Sequence, residues 1–383
     1  MRADLPSASA PSRRGRPLTA RAREWAATME GHRQVALGVR QAHDGPPLAF
    51  AAASVLDREA REAAEAAELA RGATRADGAG DRARPEEPDP WRTCFERDRD
   101  RILHEATSFR RLAGKTQVFI FPADHQRTRL THALEVSQVA TTIARACRLN
   151  VALTEAIALG HDCGHGPFGH ASEDAFDPYL PGGFRHAPFG ARVTLAGLNL
   201  CRETLDGIAN HSWSRPAPAT PEGAVVRFAD RIAYVCHDFE DAVRAGVVRP
   251  DALPAQVAAT CGRRRSEQLR AFITDVVETS VATGAVAMSE EMGAALAAFR
   301  AFNYERIYLR PESAAQAEQV QRLLRALVEH FVEHPELLGA PAVGDVTAAA
   351  VAYVAGMTDR FACEQAKRLL DWPADDLPRG FDT

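Results

Sequence analysis

The stretch His161-Asp162-Cys163-Gly164-His165-Gly166-Pro167-Phe168-Gly169-His170-Ala171-Ser172-Glu173 decides how the rest of the chain is read. It holds three imidazoles and two carboxylates in thirteen residues, interrupted by three glycines and a proline. Residues 153–159 before it are apolar enough for a buried helix. Residues four apart share a helix face, so Ile157 and His161 stack on one side. Gly164, Gly166 and Pro167 then stop the helix and let the backbone turn tightly. A buried helix that ends in His-Asp and runs into a glycine-bent loop with more His and Glu reads as a metal or phosphate site. The density of titratable groups argues against a helix end with merely solvated histidines.

Two flanking helices point at the same interior. In the span 129–148, His132, Val136, Val139 and Ile143 fall on one stripe at offsets of 4, 7 and 11. Further on, Asp230 lies on a stripe with Val226, Ala233, Tyr234 and His237. An ionised carboxylate on an apolar face costs several kcal/mol unless it is paired or metal-bound. Three helices each push an imidazole or carboxylate inward, and a single cation satisfies all of them. Two histidines and two carboxylates suit a hard or borderline divalent ion with open positions for water and phosphate oxygens.

The surrounding pattern is all-α: a helical bundle with its metal site between helices. Helices are expected over 98–112, 129–148, 154–161, 190–210, 222–245, 262–302, 312–338 and 345–371. Residues 116–121 form a short strand or extended segment ending at Pro122. Residues 1–88 read as a flexible N-terminal extension. Its first fifty residues are rich in Ala, Ser, Pro and Arg, with a marginal helix near 21–29. A helix over 56–71 follows, and residues 73–90 form a linker by composition. The folded domain spans 89–372, and 373–383 is a tail. A 383-residue chain with 46% hydrophobic and 25% charged residues supports a packed globule. A net charge of −5 argues against a surface that coats nucleic acid. No apolar run reaches the roughly 20 residues of a membrane span, and no apolar signal core opens the chain, so a cytoplasmic protein is expected. The seven scattered cysteines fit a reducing compartment.

The order His132, His161-Asp162, Asp230 resembles the H…HD…D signature of HD-domain phosphohydrolases. Longer motifs resemble the dGTPase-type deoxynucleotide triphosphohydrolases: residues 109–119 (Phe-Arg-Arg-Leu-Ala-Gly-Lys-Thr-Gln-Val-Phe), residues 127–132, the loop 161–173, residues 227–234 with His237-Asp238, and residues 355–360. The likeness runs from about residue 91 to 370. It implies hydrolysis of a dNTP at the α-phosphate to deoxynucleoside and inorganic tripolyphosphate. It also implies His132, His161, Asp162 and Asp230 as ligands of a divalent metal, whether Mg²⁺, Mn²⁺ or iron.

By the same resemblance His170 and Glu173 form the catalytic pair, with Glu173 orienting His170. His165 and His186 lie on the phosphate side, and His211 is either a further one or structural. Arg129, three residues before His132 on the same helix face, would reach the cavity, where arginine offsets triphosphate charge. Lys115 and Gln117 are further candidates for substrate binding. Tyr234 would stack on the deoxyribose, and Asp238 would accept from its 3′-hydroxyl. Relatives of this kind are homo-oligomers, often with nucleotide activators, and the arginine-rich extension offers a surface for single-stranded nucleic acid. Three departures stand out: Ala187-Pro188-Phe189-Gly190 replaces a polar Asn-Ala-Gln-Ser, Cys163 replaces Leu, and Ser172 replaces Gly. The alternative readings are another HD phosphohydrolase (a nucleoside monophosphate phosphatase or cyclic-nucleotide phosphodiesterase) and a non-catalytic nucleotide or nucleic-acid binding regulator.

Overall fold

The computed structural model describes residues 19–34, 37–51, 54–119, 127–339 and 345–379. It separates into two compact units, Met1–Val55 and Leu56–Thr383. In the first, Thr19 caps the helix α1 (Ala20–Ala27), where a marginal helix was expected. An unexpected antiparallel pair follows, β1 (His32–Gln34) against β2 (Val39–Gln41). The expectation for residues 1–18 lies outside the described residues.

The second unit is built mainly from helices. In chain order it comprises α2 (Arg58–Glu68), α3 (Cys94–His104), α4 (Thr107–Arg111), α5 (Arg129–Ala146), α6 (Val151–Gly160) and α7 (Ala171–Phe176). Then come α8 (His186–Phe189), α9 (Arg202–Ala209), α10 (Pro221–Arg244), α11 (Ala255–Cys261) and α12 (Arg265–Thr283). The last four are α13 (Glu290–Asn303), α14 (Pro311–Glu333), α15 (Val346–Ala355) and α16 (Asp359–Leu370). Among the described residues no helix is long and apolar enough to cross a membrane.

The three helices expected to converge do so. Thr128 caps α5 by accepting from the Thr131 amide, and Asn150 caps α6 by accepting from Leu153. Thr220 caps α10, whose first residue is Pro221, the position where proline's missing N–H costs nothing. Their buried faces meet in one apolar cluster that includes Val136, Val139, Ile143, Ile157, Val226 and Ile232. A second cluster joins α7 to α14, α15 and α16. The loop 161–173 spans both, with Cys163 in the first cluster and Phe168 in the second.

Several boundaries differ from the sequence reading. Residues 73–90 are not a linker, and the compact unit begins at Leu56 rather than 89. Thr74 donates its amide and hydroxyl to the buried carboxylate of Glu222, at 3.0 and 2.7 Å. Arg82 forms a fully buried ion pair with Asp98 at 2.6 Å. Gly- and Pro-rich composition hides such partners because they arrive from distant positions. The span 190–210 is not one helix: Asn199 is left-handed at φ 53° and separates short helical turns from α9. The span 262–302 breaks at Gly284, which ends α12 in the left-handed region. The span 345–371 breaks before Thr358, the cap of α16. The extended segment at 116 is a single bridge, Thr116 to Thr128, and residues 120–122 lie outside the described residues. In the tail, the carbonyl of Arg379 accepts from Gln316, which ties it to α14.

Candidate metal and phosphoryl-transfer site

His161 sits at the C-terminal end of α6, and its Nδ1 lies 2.6 Å from the Ala158 carbonyl. A carbonyl only accepts, so Nδ1 donates to it and the ring aims its Nε2 inward. That atom is buried without a hydrogen-bond partner. It lies 3.4 Å from Asp162 Oδ1 and 3.8 Å from Asp230 Oδ1. His132, from α5, reaches the same Asp230 oxygen at 3.1 Å. Two imidazole nitrogens and two carboxylates thus converge on one buried point, a set of ligand-type atoms that suits a cation. Among the described residues, His132, His161 and Asp230 form one group whose ligand atoms lie within 4.8 Å of one another; His161, Asp162 and His211 form a second. Donor chemistry and orientation both fit a divalent ion.

The electrostatics follow from the packing. Against the cost of burial, His132 and His161 hold the Asp230 carboxyl well below the usual range. His161, Arg129 and His165 do the same for Asp162. His132 is buried, which disfavours charge, yet the Asp230 and Asp162 carboxylates raise its pKa above the ordinary value. Arg129, buried on α5, donates Nη1 to Asp162 Oδ2 at 2.9 Å, and its Nη2 lies 3.2 Å from His170 Nδ1.

A second cluster adjoins the first: His165, His170, Glu173 and His186. The rings of His165 and His186 stack with centroids 3.7 Å apart. Glu173 bonds Nδ1 of His186, not His170 as the three-residue spacing suggested. His186 in turn sets its Nε2 3.1 Å from His211 Nε2, while His211 Nδ1 is fixed 2.8 Å from the Ile208 carbonyl. His186 thus has a carboxylate at one nitrogen and a second imidazole at the other. Burial works against the Glu173 carboxylate, but His186 overcomes it and holds the pKa at about 2. Burial lowers His165 well below the ordinary histidine value, and enclosure with Arg129 nearby lowers His170 to about 4.

Along α10, Tyr234 and Asp238 follow Asp230 by one and two turns. The Tyr234 hydroxyl accepts from Arg300 Nε at 2.9 Å, and Asp238 Oδ2 accepts from the Tyr308 hydroxyl at 2.5 Å. Burial pushes the Asp238 carboxyl up to about 7. Gln117 keeps a buried Oε1 without a partner. Lys115, expected among the substrate contacts, is buried and donates to the carbonyls of His165 and Ala355. Two of its three ammonium donors are thus spent on backbone carbonyls. The sequence reading also missed Arg300 and Tyr308, whose i, i+8 spacing around Tyr304 was the available signal, and gave no role to Asp359 within the 355–360 motif. The Ala187–Gly190 departure is filled by packing, with the Phe189 ring 4.6 Å from Phe184. The Cys163 thiol is buried and pushed up to about 12, too high for thiolate chemistry.

Family comparisons agree with this geometry. An HD domain matches residues 129–235, and a phosphohydrolase-associated domain matches 286–368. A deoxyguanosinetriphosphate triphosphohydrolase-like protein from Caldanaerobacter subterraneus subsp. tengcongensis is 44% identical over 300 residues, covering 75% of this chain and 88% of that one. The chain belongs to the deoxyguanosinetriphosphate triphosphohydrolase-like family. Other members of the triphosphohydrolase-like family match across most of their length. One from Clostridium perfringens strain SM101 is 42% identical over 309 residues, covering 75% of this chain and 90% of its own. One from Ruegeria sp. is 38% identical over 372 residues, covering 78% and 98%. As a triphosphohydrolase-like protein with an HD domain, it is a metal-dependent phosphohydrolase of helical fold.

Proposed function

We propose that this protein hydrolyses deoxynucleoside triphosphates at the α-phosphate, releasing deoxynucleoside and inorganic tripolyphosphate. The observation that carries the reading is the buried, unpartnered Nε2 of His161 facing the carboxylates of Asp162 and Asp230. With His132 these four residues would hold a divalent metal such as Mg²⁺, Mn²⁺ or iron. The metal would supply Lewis-acid polarisation of a phosphoryl oxygen and acidify a bound water.

The remaining chemistry belongs to the chain. Glu173 orients His186, so the ring can hand a proton to the leaving group or take one from water. His165 and His170, with lowered pKa values, meet the substrate as neutral imidazoles. Arg129 fixes both Asp162 and His170, which orients one ligand and one phosphate-side ring together. Tyr234, Asp238 and Gln117 form the sugar side, with Tyr308 orienting Asp238. Assembly into homo-oligomers with a nucleotide activator accompanies this reading, and light scattering with and without dNTPs tests it.

The deciding experiment incubates purified protein with single dNTPs, mixed dNTPs, rNTPs and monophosphates in Mg²⁺ or Mn²⁺, resolving products by chromatography. Deoxynucleoside and tripolyphosphate should appear, and both should vanish in His161→Ala and Asp230→Ala together with Mn²⁺ binding. Glu173→Ala and His186→Ala should keep the metal and lose on the order of 10²–10⁴-fold in kcat. Orthophosphate released from monophosphates, or a metal-loaded protein silent with every dNTP mixture, would overturn the proposal.

A further inference from the structure

The loop 161–173 is gripped from outside the HD domain. Asp359, fully buried at the start of α16, accepts from the Phe168 amide at 2.7 Å through Oδ1. Its Oδ2 accepts from the amide and hydroxyl of Thr116, at 2.8 and 2.6 Å. Lys115 donates to the carbonyl of His165 and, at 2.9 Å, to the carbonyl of Ala355. Both anchors, Ala355 and Asp359, lie in the segment matched by the phosphohydrolase-associated domain.

What they hold is a costly turn. Phe168 has φ +60° and Gly169 φ +65°, two successive left-handed residues between His165 and His170. For a non-glycine residue that region is sterically unfavourable, so the turn persists only where its surroundings impose it. The Phe168 ring is packed in the second apolar cluster with Ala355 and Met357. The grip has its own cost, since burial pulls the Lys115 pKa down to about 7. Well-packed apolar side chains often replace buried charges without loss of stability, so stability alone does not account for this pair.

We propose that Asp359 and Lys115 are positioning residues, through which the associated domain clamps the 165–170 turn so that the His165 and His170 rings face the phosphate in one fixed geometry. The clamp reaches the turn through its backbone, at the His165 carbonyl and the Phe168 amide. Its effect on turnover rests on the phosphohydrolase reading above; its effect on the loop does not.

The test uses the full chain with Asp359→Asn, Lys115→Met and, as a control for general destabilisation, Val351→Ala in the buried face of α15. Hydrogen exchange should quicken in peptides covering 163–172 for the first two variants, with α5 and α10 and Mn²⁺ stoichiometry unchanged. Their kcat should fall on the order of 10²-fold, as for a displaced catalytic group, with KM nearly constant. That loss should shrink in a His170→Ala background, where the clamp has less to position. A folded Asp359→Asn with wild-type exchange at 163–172 overturns the clamp, as does an equal kcat loss in Val351→Ala. Should Asp359→Asn fail to fold, Lys115→Met decides by the same criteria. A wild type inert toward every dNTP would refute the proposed activity, while the exchange data would still decide the clamp.

Discussion

Glu173 and His170 are three residues apart, a spacing that on a helix shares a face. His170, however, precedes the first residue of α7, and its ring turns to Arg129 while Glu173 reaches His186, thirteen residues on. Single-atom surroundings likewise set the titration of Asp238. Its folded pKa is raised by burial to about 7, above the ordinary carboxyl value of 3.8. The folded state therefore holds the proton more tightly than the unfolded chain. The stabilisation is fully present below about pH 4 and is lost as pH rises through about 7. Urea midpoints of metal-free protein at pH 5 and 7.5 should show a decline of order 1–4 kcal/mol attributable to this group. Asp238→Asn should remove that part of the pH slope; an unchanged slope would mean that the carboxyl is already ionised at pH 5.

At the level of elements, the site depends on backbone segments approaching more closely than a side chain permits. A Cβ on Gly164 would lie 2.0 Å from the His186 carbonyl oxygen, which belongs to a packed backbone and has nowhere to go. On Gly169 it would lie 2.2 Å from Arg129 Nη2, with φ already at +65°. Gly164→Ala should cost about 1–3 kcal/mol by overpacking. Gly169→Ala should combine a smaller stability loss with a clear fall in kcat, because Arg129 would be pushed from Asp162 and His170. Gly197→Ala, where nothing lies within 4 Å, is the matched control. Denaturant melts and steady-state kinetics on the three variants separate overpacking from misplacement.

For the whole molecule, the boundary at Leu56 makes a sharp prediction. A chain starting at Leu56 should keep the melting temperature of the helical unit. Removing residues through 88 deletes Arg82 and Thr74, leaving the Asp98 and Glu222 carboxylates buried without those partners. Breaking one buried ion pair typically costs about 3–5 kcal/mol, so the shorter chain should melt far lower or fail to fold. Equal stability of the two truncations would restore the linker reading.

The sequence by itself determined the helical class, the three converging helices and the cluster of ligand-type side chains. Those rest on local facts: the stripe that carries His132 inward, the caps Thr128, Asn150 and Thr220, and the cost of leaving Asp230 buried and alone. Only the tertiary structure decided that Glu173 reaches His186, that His211 stands within the cluster, and that Lys115 grips backbone. It also brought Asp359 to Phe168, 191 residues away in the chain. Periodicity reports which face of a helix is buried, whereas a hydrogen bond forms between atoms within about 3 Å, and that proximity comes from how distant segments pack.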